Sequence, residues 1–242
     1  MNQNIINHLI ELRKRLIFIS IGFLVVFLGL FHFANQIYIY LSNPLFAYLP
    51  KNTQLIAIDI TSPFFVPLKL TAIVAIVVTF PHTIYQLWQF IAPGLYRYEQ
   101  KLLGWVIICG SLLFIGGVAF CYFIVLPALF NFITHIKAAE IAMFTDINKY
   151  LDLLLNLFLV FGLSFQLPLI IFLLIHFNLV THTKMMSFRK YILVGVFIIA
   201  AIITPPDILS QTLLAIPLYL LYEMGMLMGK LFSSSQRKIN HV

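Results

Sequence analysis

Long apolar stretches dominate the chain and alternate with short polar segments. Four of them contain no Asp, Glu, Lys or Arg: 16–34 has 19 residues, 70–92 has 23, 102–133 has 32 and 153–180 has 28. Crossing roughly 30 Å of hydrocarbon takes about 20 residues of helix, because every backbone polar group must be satisfied within the segment. The pattern therefore predicts four transmembrane helices in an all-α membrane protein.

The last apolar region is interrupted by Thr204-Pro205-Pro206-Asp207, which leaves 13 residues before the break, from Tyr191, and 15 after it, to Tyr222. Two adjacent prolines remove two backbone donors, and Asp207 is well suited to cap a new helix at its N-terminus. A hairpin of two short spans is therefore predicted. A 13-residue helix reaches only about 20 Å, so the bilayer beside it is expected to be thinned.

The composition agrees with a membrane protein: 62% of the 242 residues are hydrophobic and 10% are charged, whereas soluble domains carry about 25% charged residues. The net charge of +7 could indicate a nucleic-acid partner. That function needs basic residues clustered on a solvated face, and here they lie in short segments between apolar stretches. We therefore expect no nucleic-acid partner and read the charge as a sign of orientation.

The distribution of Lys and Arg tests the number of spans, because these residues accumulate in cytoplasmic segments. With six spans, eleven of the fifteen lie inside and four outside; with five spans, the split weakens to eight against seven. Six spans with both termini in the cytoplasm are therefore predicted, in one polytopic domain of residues 1–242. The expected spans are approximately 16–34, 68–92, 102–127, 151–177, 190–204 and 208–228.

Motifs for catalysis are missing from the sequence: it has no phosphate-binding glycine loop, no His-Glu-x-x-His and no Gly-x-Ser-x-Gly. We expect neither an enzyme nor a bound cofactor or metal. Two acids, Glu11 and Glu99, fall in predicted cytoplasmic segments among basic residues. They either balance charge, as the helical pair of Glu11 and Arg15 would at about 0.2–0.5 kcal/mol, or bind a guanidinium ligand.

Several ordered motifs resemble the TatC family, the receptor subunit of the twin-arginine protein translocase. The segment from His8 to Leu16, HLIELRKRL, is similar to the N-terminal signature of that family. The similarity continues through 62–65 (SPFF), 85–96 (YQLWQFIAPGLY) and Glu99, and ends with 204–207 (TPPD) and 210–217 (SQTLLAIP). The resemblance implies six transmembrane helices in a concave arrangement, the last two short.

The resemblance also implies a function, the binding of twin-arginine signal peptides at the cytoplasmic face of the bacterial inner membrane. Folded cargo proteins would then be exported with energy from the proton gradient. Glu11 and Glu99 match the family's two recognition acids, Phe90 matches an aromatic residue close to them, and Arg13 matches a basic residue that orients the acids.

Further positions follow from the same resemblance. Thr204 and Gln211 match a polar cluster at which the single-span partners TatA and TatB dock, although both side chains could instead cap the helix at Asp207. Pro44 and Asp59 match positions that shape the first outer loop, and Asp59 could also be a solvated acid. Gln166 stands where many members of the family have a glutamate on the concave face. It can form hydrogen bonds there or pair with a neighbouring helix, but it cannot change charge.

The family operates as a complex in the lipid bilayer, so several copies of this chain are expected to assemble. A secondary transporter of a small solute is the alternative function. Such transporters usually show repeated halves with broken helices meeting at the midplane, whereas this sequence has one broken hairpin and no matching half. The charges also favour a receptor, since they lie at the predicted membrane face.

Overall fold

The computed structural model describes residues 2–48, 55–56, 61–91, 103–135, 145–177, 179–203 and 208–239. These residues are almost entirely helical, which confirms the all-α class. A π-helical turn, Cys121–Val125, joins the fourth and fifth helices, and two short strands, β1 (Leu55–Ile56) and β2 (Thr145–Asp146), pair in parallel. The helices are α1 (Asn2–Phe31), α2 (Ala34–Tyr48), α3 (Ser62–Ile91), α4 (Leu103–Phe120), α5 (Leu126–His135), α6 (Ile147–Ser164), α7 (Leu167–His176), α8 (His182–Ser187), α9 (Arg189–Ile203) and α10 (Ile208–Ile239).

Five helical segments within the described residues are long and apolar enough to cross a membrane. The fifth predicted span, 190–204, is not among them and corresponds to α9, whose 15 residues reach only about 22 Å. The count of six spans therefore stays a prediction, and so does the single domain. The five segments are Ile6–Phe31, Phe64–Phe90, Gly104–Asn131, Ile147–His176 and Gln211–Lys230.

Two helices extend beyond the predicted spans into polar sequence. Helix α1 begins at Asn2 rather than near residue 16, and α10 continues to Ile239 rather than ending near residue 228. Lys, Arg, Glu and Leu are good helix formers, so a helix continues readily after its sequence becomes polar. Of the last two helices, only α9 is short as a whole; the apolar part of α10 has 20 residues.

The chain separates into two compact units, the first comprising residues 1–47, 54–112 and 144–151. In this unit α1 packs along α3. Arg15 contacts Gln86, and farther along α1 the carbonyl oxygen of Phe18 lies 3.2 Å from Nε2 of His82. Because partners of later residues on α1 come earlier on α3, the two helices are antiparallel. Gly22 lies against the His82 imidazole, where a Cβ atom would come within 2.8 Å of the ring.

The other end of α3 is tied to the segment that precedes and begins α6. The backbone N–H of Asn148 donates to Oδ1 of Asp146 at 3.1 Å, and its side-chain amide donates to Oγ of Ser62. The hydroxyl of Tyr150 donates to the backbone carbonyl of Leu41 at 3.3 Å, which adds α2 to the same cluster. With the pairing of β1 and β2, these bonds connect two segments that are far apart in sequence.

The second unit comprises residues 48–53, 113–143 and 152–242, and glycines bring its part of α4 close to α6. A Cβ atom on Gly117 would lie 2.6 Å from the carbonyl oxygen of Phe161 and 2.9 Å from the ring of Phe165. A Cβ atom on Gly162 would lie 2.6 Å from the ring of Phe114. Both contacts require a residue without a side chain.

Helix α10 packs closely on α7 in the same unit. Gly225 faces the Cα atom of Pro168, and Gly229 faces the side chain of Ile175. The two glycines are four residues apart and so share one helix face, which is the small-xxx-small arrangement that allows close approach of helices in membranes. A buried cluster forms where the helices meet, consisting of Ile171, Ile175, Tyr222 and Met226.

The fourth predicted span contains a break. Helix α6 ends at Ser164 and α7 begins at Leu167, with a turn at Phe165 and Gln166 between them. Pro168 has no backbone N–H, so the helical bond that would close on the carbonyl of Ser164 cannot form. The Ile147–His176 segment is nevertheless long and apolar enough as a whole to cross a membrane.

Candidate functional site

The acid of the N-terminal motif is held by a basic side chain of its own helix. Nη2 of Arg15 lies 3.4 Å from Oε1 of Glu11, one turn away on α1. Nη1 of the same guanidinium donates to Oε1 of Gln86 on α3 at 3.2 Å. About a third of the Glu11 side chain and a quarter of that of Arg15 are exposed, whereas Gln86 is buried. The guanidinium thus bridges a carboxylate and an amide from two helices.

An aromatic pair lies at the same end of the two helices. The rings of His8 and Phe90 stack with their centroids 4.3 Å apart and an angle of 27° between their planes. His8 is one turn before Glu11 on α1, and Phe90 is one turn after Gln86 on α3. The structure therefore brings Glu11 and Phe90, two of the predicted site residues, to one end of the helix pair.

Arg13 lies apart from this arrangement. Two residues correspond to about 200° around a helix, so Arg13 points away from the face that carries Glu11 and Arg15. It is exposed and borders a groove of about 410 Å³. The structure places Arg15, and not Arg13, in contact with the acid. The groove is lined by Leu9, Leu12, Arg13, Leu16, Ile17, Ser20 and Ile21.

The remaining predicted residues are distributed over the chain. Glu99, Thr204 and Asp59 lie outside the described residues. Pro44 is in α2. Gln211 is half-buried in the first turn of α10, and Gln166 is buried at the turn between α6 and α7. The structure therefore describes Glu11, Arg13 and Phe90 from the predicted peptide site and leaves their relation to Glu99 a prediction.

The sequence matches one protein family along most of its length. Residues 7–217 match the family model described as Sec-independent protein translocase protein (TatC). This chain belongs to the TatC family.

Relatives and a solved structure agree with this membership. TatC of Escherichia coli is 43% identical over 235 residues, which cover 97% of this chain and 91% of that protein. TatC of Halothiobacillus neapolitanus is 43% identical over 227 residues, but this chain spans only 62% of its length. A crystal structure of the twin arginine translocase receptor TatC matches with a TM-score of 0.84 at 36% identity, covering 93% of this chain and 98% of that one.

Two polar side chains in this TatC site were not predicted as functional from the sequence. Arg15 was expected only as a charge-balancing partner of Glu11, and its spacing of four residues was the available signal. Gln86 lies within the family-like segment 85–96, yet nothing in the sequence indicated that it would meet a residue 71 positions earlier. Only the packing of α1 on α3 reveals that contact.

A second ion pair of this TatC chain lies in the other unit, between α9 and α10. Nη2 of Arg189 lies 2.6 Å from Oε2 of Glu223, and the hydroxyl of Tyr219 donates to Oε1 of Glu223 at 2.9 Å. The hydroxyl of Tyr222 donates to the backbone carbonyl of Met185, at 2.7 Å. These bonds join the start of α9 and the end of α8 to α10. Within the described ranges, no three His, Cys, Asp or Glu side chains cluster as metal ligands would.

Proposed function

We propose that this chain is the receptor subunit of a twin-arginine protein translocase and that it binds twin-arginine signal peptides. Membership of the TatC family supports the assignment, and the contact between Glu11 and Arg15 is the observation that carries it. The Glu11 carboxylate holds a guanidinium group, which is the chemical group that a twin-arginine peptide would present. The chain has no catalytic role in this proposal.

Two carboxylates suit a ligand with two arginines, because one carboxylate can accept two parallel N–H bonds from the planar fork of a guanidinium. Glu11 would take one arginine, and Glu99, which follows α3 by eight residues in the sequence, would take the other. Phe90 and His8 would form an aromatic surface beside them. Arg13 borders the apolar groove on α1, a position that suits contact with the apolar part of the peptide.

The site is proposed to face the cytoplasm. Glu11 lies at the end of α1 that also carries Arg13, Lys14 and Arg15, and the antiparallel pairing brings the C-terminal end of α3 to the same place. Basic clusters of this kind remain on the cytoplasmic side. The N-terminus would therefore lie in the cytoplasm, the side from which cargo arrives, and six spans across the bacterial inner membrane would return the C-terminus to the same side.

The export step requires partners beyond the receptor. We propose that TatA and TatB dock at Thr204 and Gln211, and that several receptor copies assemble in one complex driven by the proton gradient. Gln211 is half-buried, and a polar side chain that meets a partner helix in lipid contributes roughly 1 kcal/mol. Pro44 and Asp59 would shape the outer loop, and Gln166 would form hydrogen bonds on the concave face. Family membership favours this function over small-solute transport.

Photocrosslinking tests the peptide site directly. A twin-arginine signal peptide carrying a photoreactive residue is added to membranes containing the native chain, Glu11→Gln or Glu99→Gln, and a twin-lysine peptide serves as the ligand control. Each Glu→Gln change keeps the shape of the side chain and removes its charge. Asp152→Asn is the matched variant, since Asp152 is an exposed acid of α6 outside the proposed site.

Crosslinking is expected to fall at least about tenfold for Glu11→Gln and Glu99→Gln, because a buried or half-buried charged hydrogen bond contributes about 1.5–3 kcal/mol. The twin-lysine peptide should crosslink as weakly, and Asp152→Asn should match the native chain. Equal crosslinking of all variants that insert into the membrane would refute the receptor function and return small-solute transport as the leading alternative.

A further inference from the structure

The carboxylate proposed to receive a peptide arginine is already occupied by an arginine of the receptor. Arg15 approaches only one oxygen of Glu11, at 3.4 Å, and a second nitrogen of its guanidinium is bonded to Gln86 at 3.2 Å. Its third nitrogen, Nε, is buried and has no hydrogen-bond partner among the described residues. The two contacts to Glu11 and Gln86 are thus the guanidinium's polar contacts in this part of the chain.

We infer that Arg15 is an internal competitor for Glu11, displaced by a peptide arginine, and that Gln86 retains Arg15 during the exchange. The inference rests on the proposed function and names two positioning residues for it. Before the peptide binds, the guanidinium is shared between the carboxylate and the amide. Afterwards Arg15 keeps the bond to Gln86, and the carboxylate of Glu11 accepts the guanidinium of the peptide.

The geometry makes this exchange feasible. A long contact to a single oxygen in a partly exposed pair is weak and easily replaced, whereas a peptide arginine can engage the same carboxylate with two parallel bonds. A lysine ammonium is a point charge without that fork, so it competes less well against the resident guanidinium. The resident guanidinium lowers the apparent affinity for both peptides by the same factor, because it reduces the fraction of receptors in which the carboxylate is free.

Gln86 determines how unfavourable in free energy the displacement of Arg15 from Glu11 is. Its side chain is buried at 7% exposure, so its amide is held in place on α3. Without this acceptor, a displaced Arg15 would lose its second contact as well as the first, and an unpaired charge in a partly buried position is unfavourable. Removal of the amide should therefore strengthen the hold of Arg15 on Glu11.

A purely structural role is the competing explanation, in which Arg15 and Gln86 only fasten α1 to α3. The two explanations predict opposite results for Arg15. If Arg15 only holds the two helices together, its replacement should disturb the site and weaken peptide binding. If Arg15 competes for Glu11, its replacement should strengthen peptide binding. The two explanations also differ for Gln86. Under the competitor mechanism, replacement of Gln86 changes the peptide affinity only when Arg15 is present.

A double-mutant cycle on the full chain tests the mechanism. The affinities of a twin-arginine and a twin-lysine signal peptide are measured by fluorescence anisotropy for the native receptor, Arg15→Gln, Gln86→Leu and the double variant. Arg15→Met is a second competitor-free variant if Arg15→Gln does not yield folded protein. Glu11→Gln is measured beside them, because it tests the proposed function alone.

Arg15→Gln is expected to raise the affinity for the twin-arginine peptide by about threefold, the scale of a partly exposed ion pair. The twin-lysine peptide should gain by the same factor, because a competitor lowers the apparent affinity of every ligand for Glu11 equally. Gln86→Leu should lower affinity by about threefold in the native background and leave it unchanged when Arg15 is already replaced.

Reduced affinity on replacing Arg15, or an equal effect of Gln86→Leu in both backgrounds, would overturn the inference. Glu11→Gln separates this failure from failure of the proposed function. If Glu11→Gln abolishes binding while the cycle shows no coupling, only the competitor mechanism is wrong. If Glu11→Gln binds as the native chain does, the receptor function itself is wrong.

Discussion

Single glycines decide how closely helices of the second unit approach each other. Gly117 faces the backbone of α6, where a Cβ atom would come within 2.6 Å of the carbonyl oxygen of Phe161. A backbone atom cannot rotate away as the end of a side chain can. At the neighbouring Gly116, no atom lies within 4 Å of the position of a Cβ. There is therefore room for a side chain at residue 116 but not at residue 117.

Gly117→Ala is expected to destabilise the protein by about 1–3 kcal/mol, because the added methyl group forces α4 and α6 apart. Gly116→Ala is the matched control and should leave stability unchanged or raise it slightly, since alanine is the better helix former. Thermal unfolding of the detergent-solubilised variants measures the change in stability for each substitution. Equal unfolding temperatures for the two variants would contradict the close packing at Gly117.

At the scale of the element, close packing also explains the position of α10. Gly225 and Gly229 lie on the face of α10 that meets α7. A Cβ atom on Gly225 would lie 2.9 Å from the Cα atom of Pro168. The small residues permit contact between backbones, which strengthens dispersion interactions where lipid offers no hydrophobic driving force. The break between α6 and α7 also favours this packing, because α7 begins as a separate helix beside α10.

Gly225→Leu should separate α10 from α7 and lower the unfolding temperature, because a large side chain cannot fit against Pro168 and Ile171. Gly195→Leu, on α9, provides the control, since a Cβ there meets no atom within 4 Å. Cysteines introduced at Ile175 and Met226, which belong to one buried cluster of α7 and α10, would report the separation as a loss of crosslinking by a short reagent. Unchanged crosslinking in Gly225→Leu would show that the glycine does not set this distance.

At the scale of the whole molecule, topology determines which face the peptide meets. Eleven of the fifteen Lys and Arg lie in segments predicted to be cytoplasmic under six spans. The short helix α9 is the element on which the count depends. If α9 crosses the membrane, α10 returns to the side on which the chain began; if it does not, the C-terminal residues lie outside.

Reporter fusions distinguish these topologies. Alkaline phosphatase fused after Val242 should be inactive and green fluorescent protein at the same site fluorescent, because both termini are predicted to be cytoplasmic. Phosphatase inserted after Lys137, in a predicted outer segment, should be active and serves as the positive control. Active phosphatase at the C-terminus would instead support five spans and remove α9 from the membrane-crossing helices.

The amino-acid sequence was sufficient to predict a protein of the lipid bilayer, its all-α class and its family. Uncharged stretches of about 20 residues or more can only be helical in lipid, and ordered motifs from His8 to Pro217 carried the family resemblance. The spacing of Glu11 and Arg15 also indicated their pairing, since i and i+4 adjoin on any helix. Helix ends were less well predicted, because hydropathy reports the membrane boundary and α1 and α10 continue beyond it.

The contacts between residues far apart in the sequence became visible from the packing of the helices. The contact of Arg15 with Gln86 and the stacking of His8 on Phe90 depend on which face of α1 packs against α3. In a bilayer nearly every face of a helix is apolar, so the sequence pattern does not mark the packed face. The packing of α3 on α1 therefore makes Gln86 part of the candidate site.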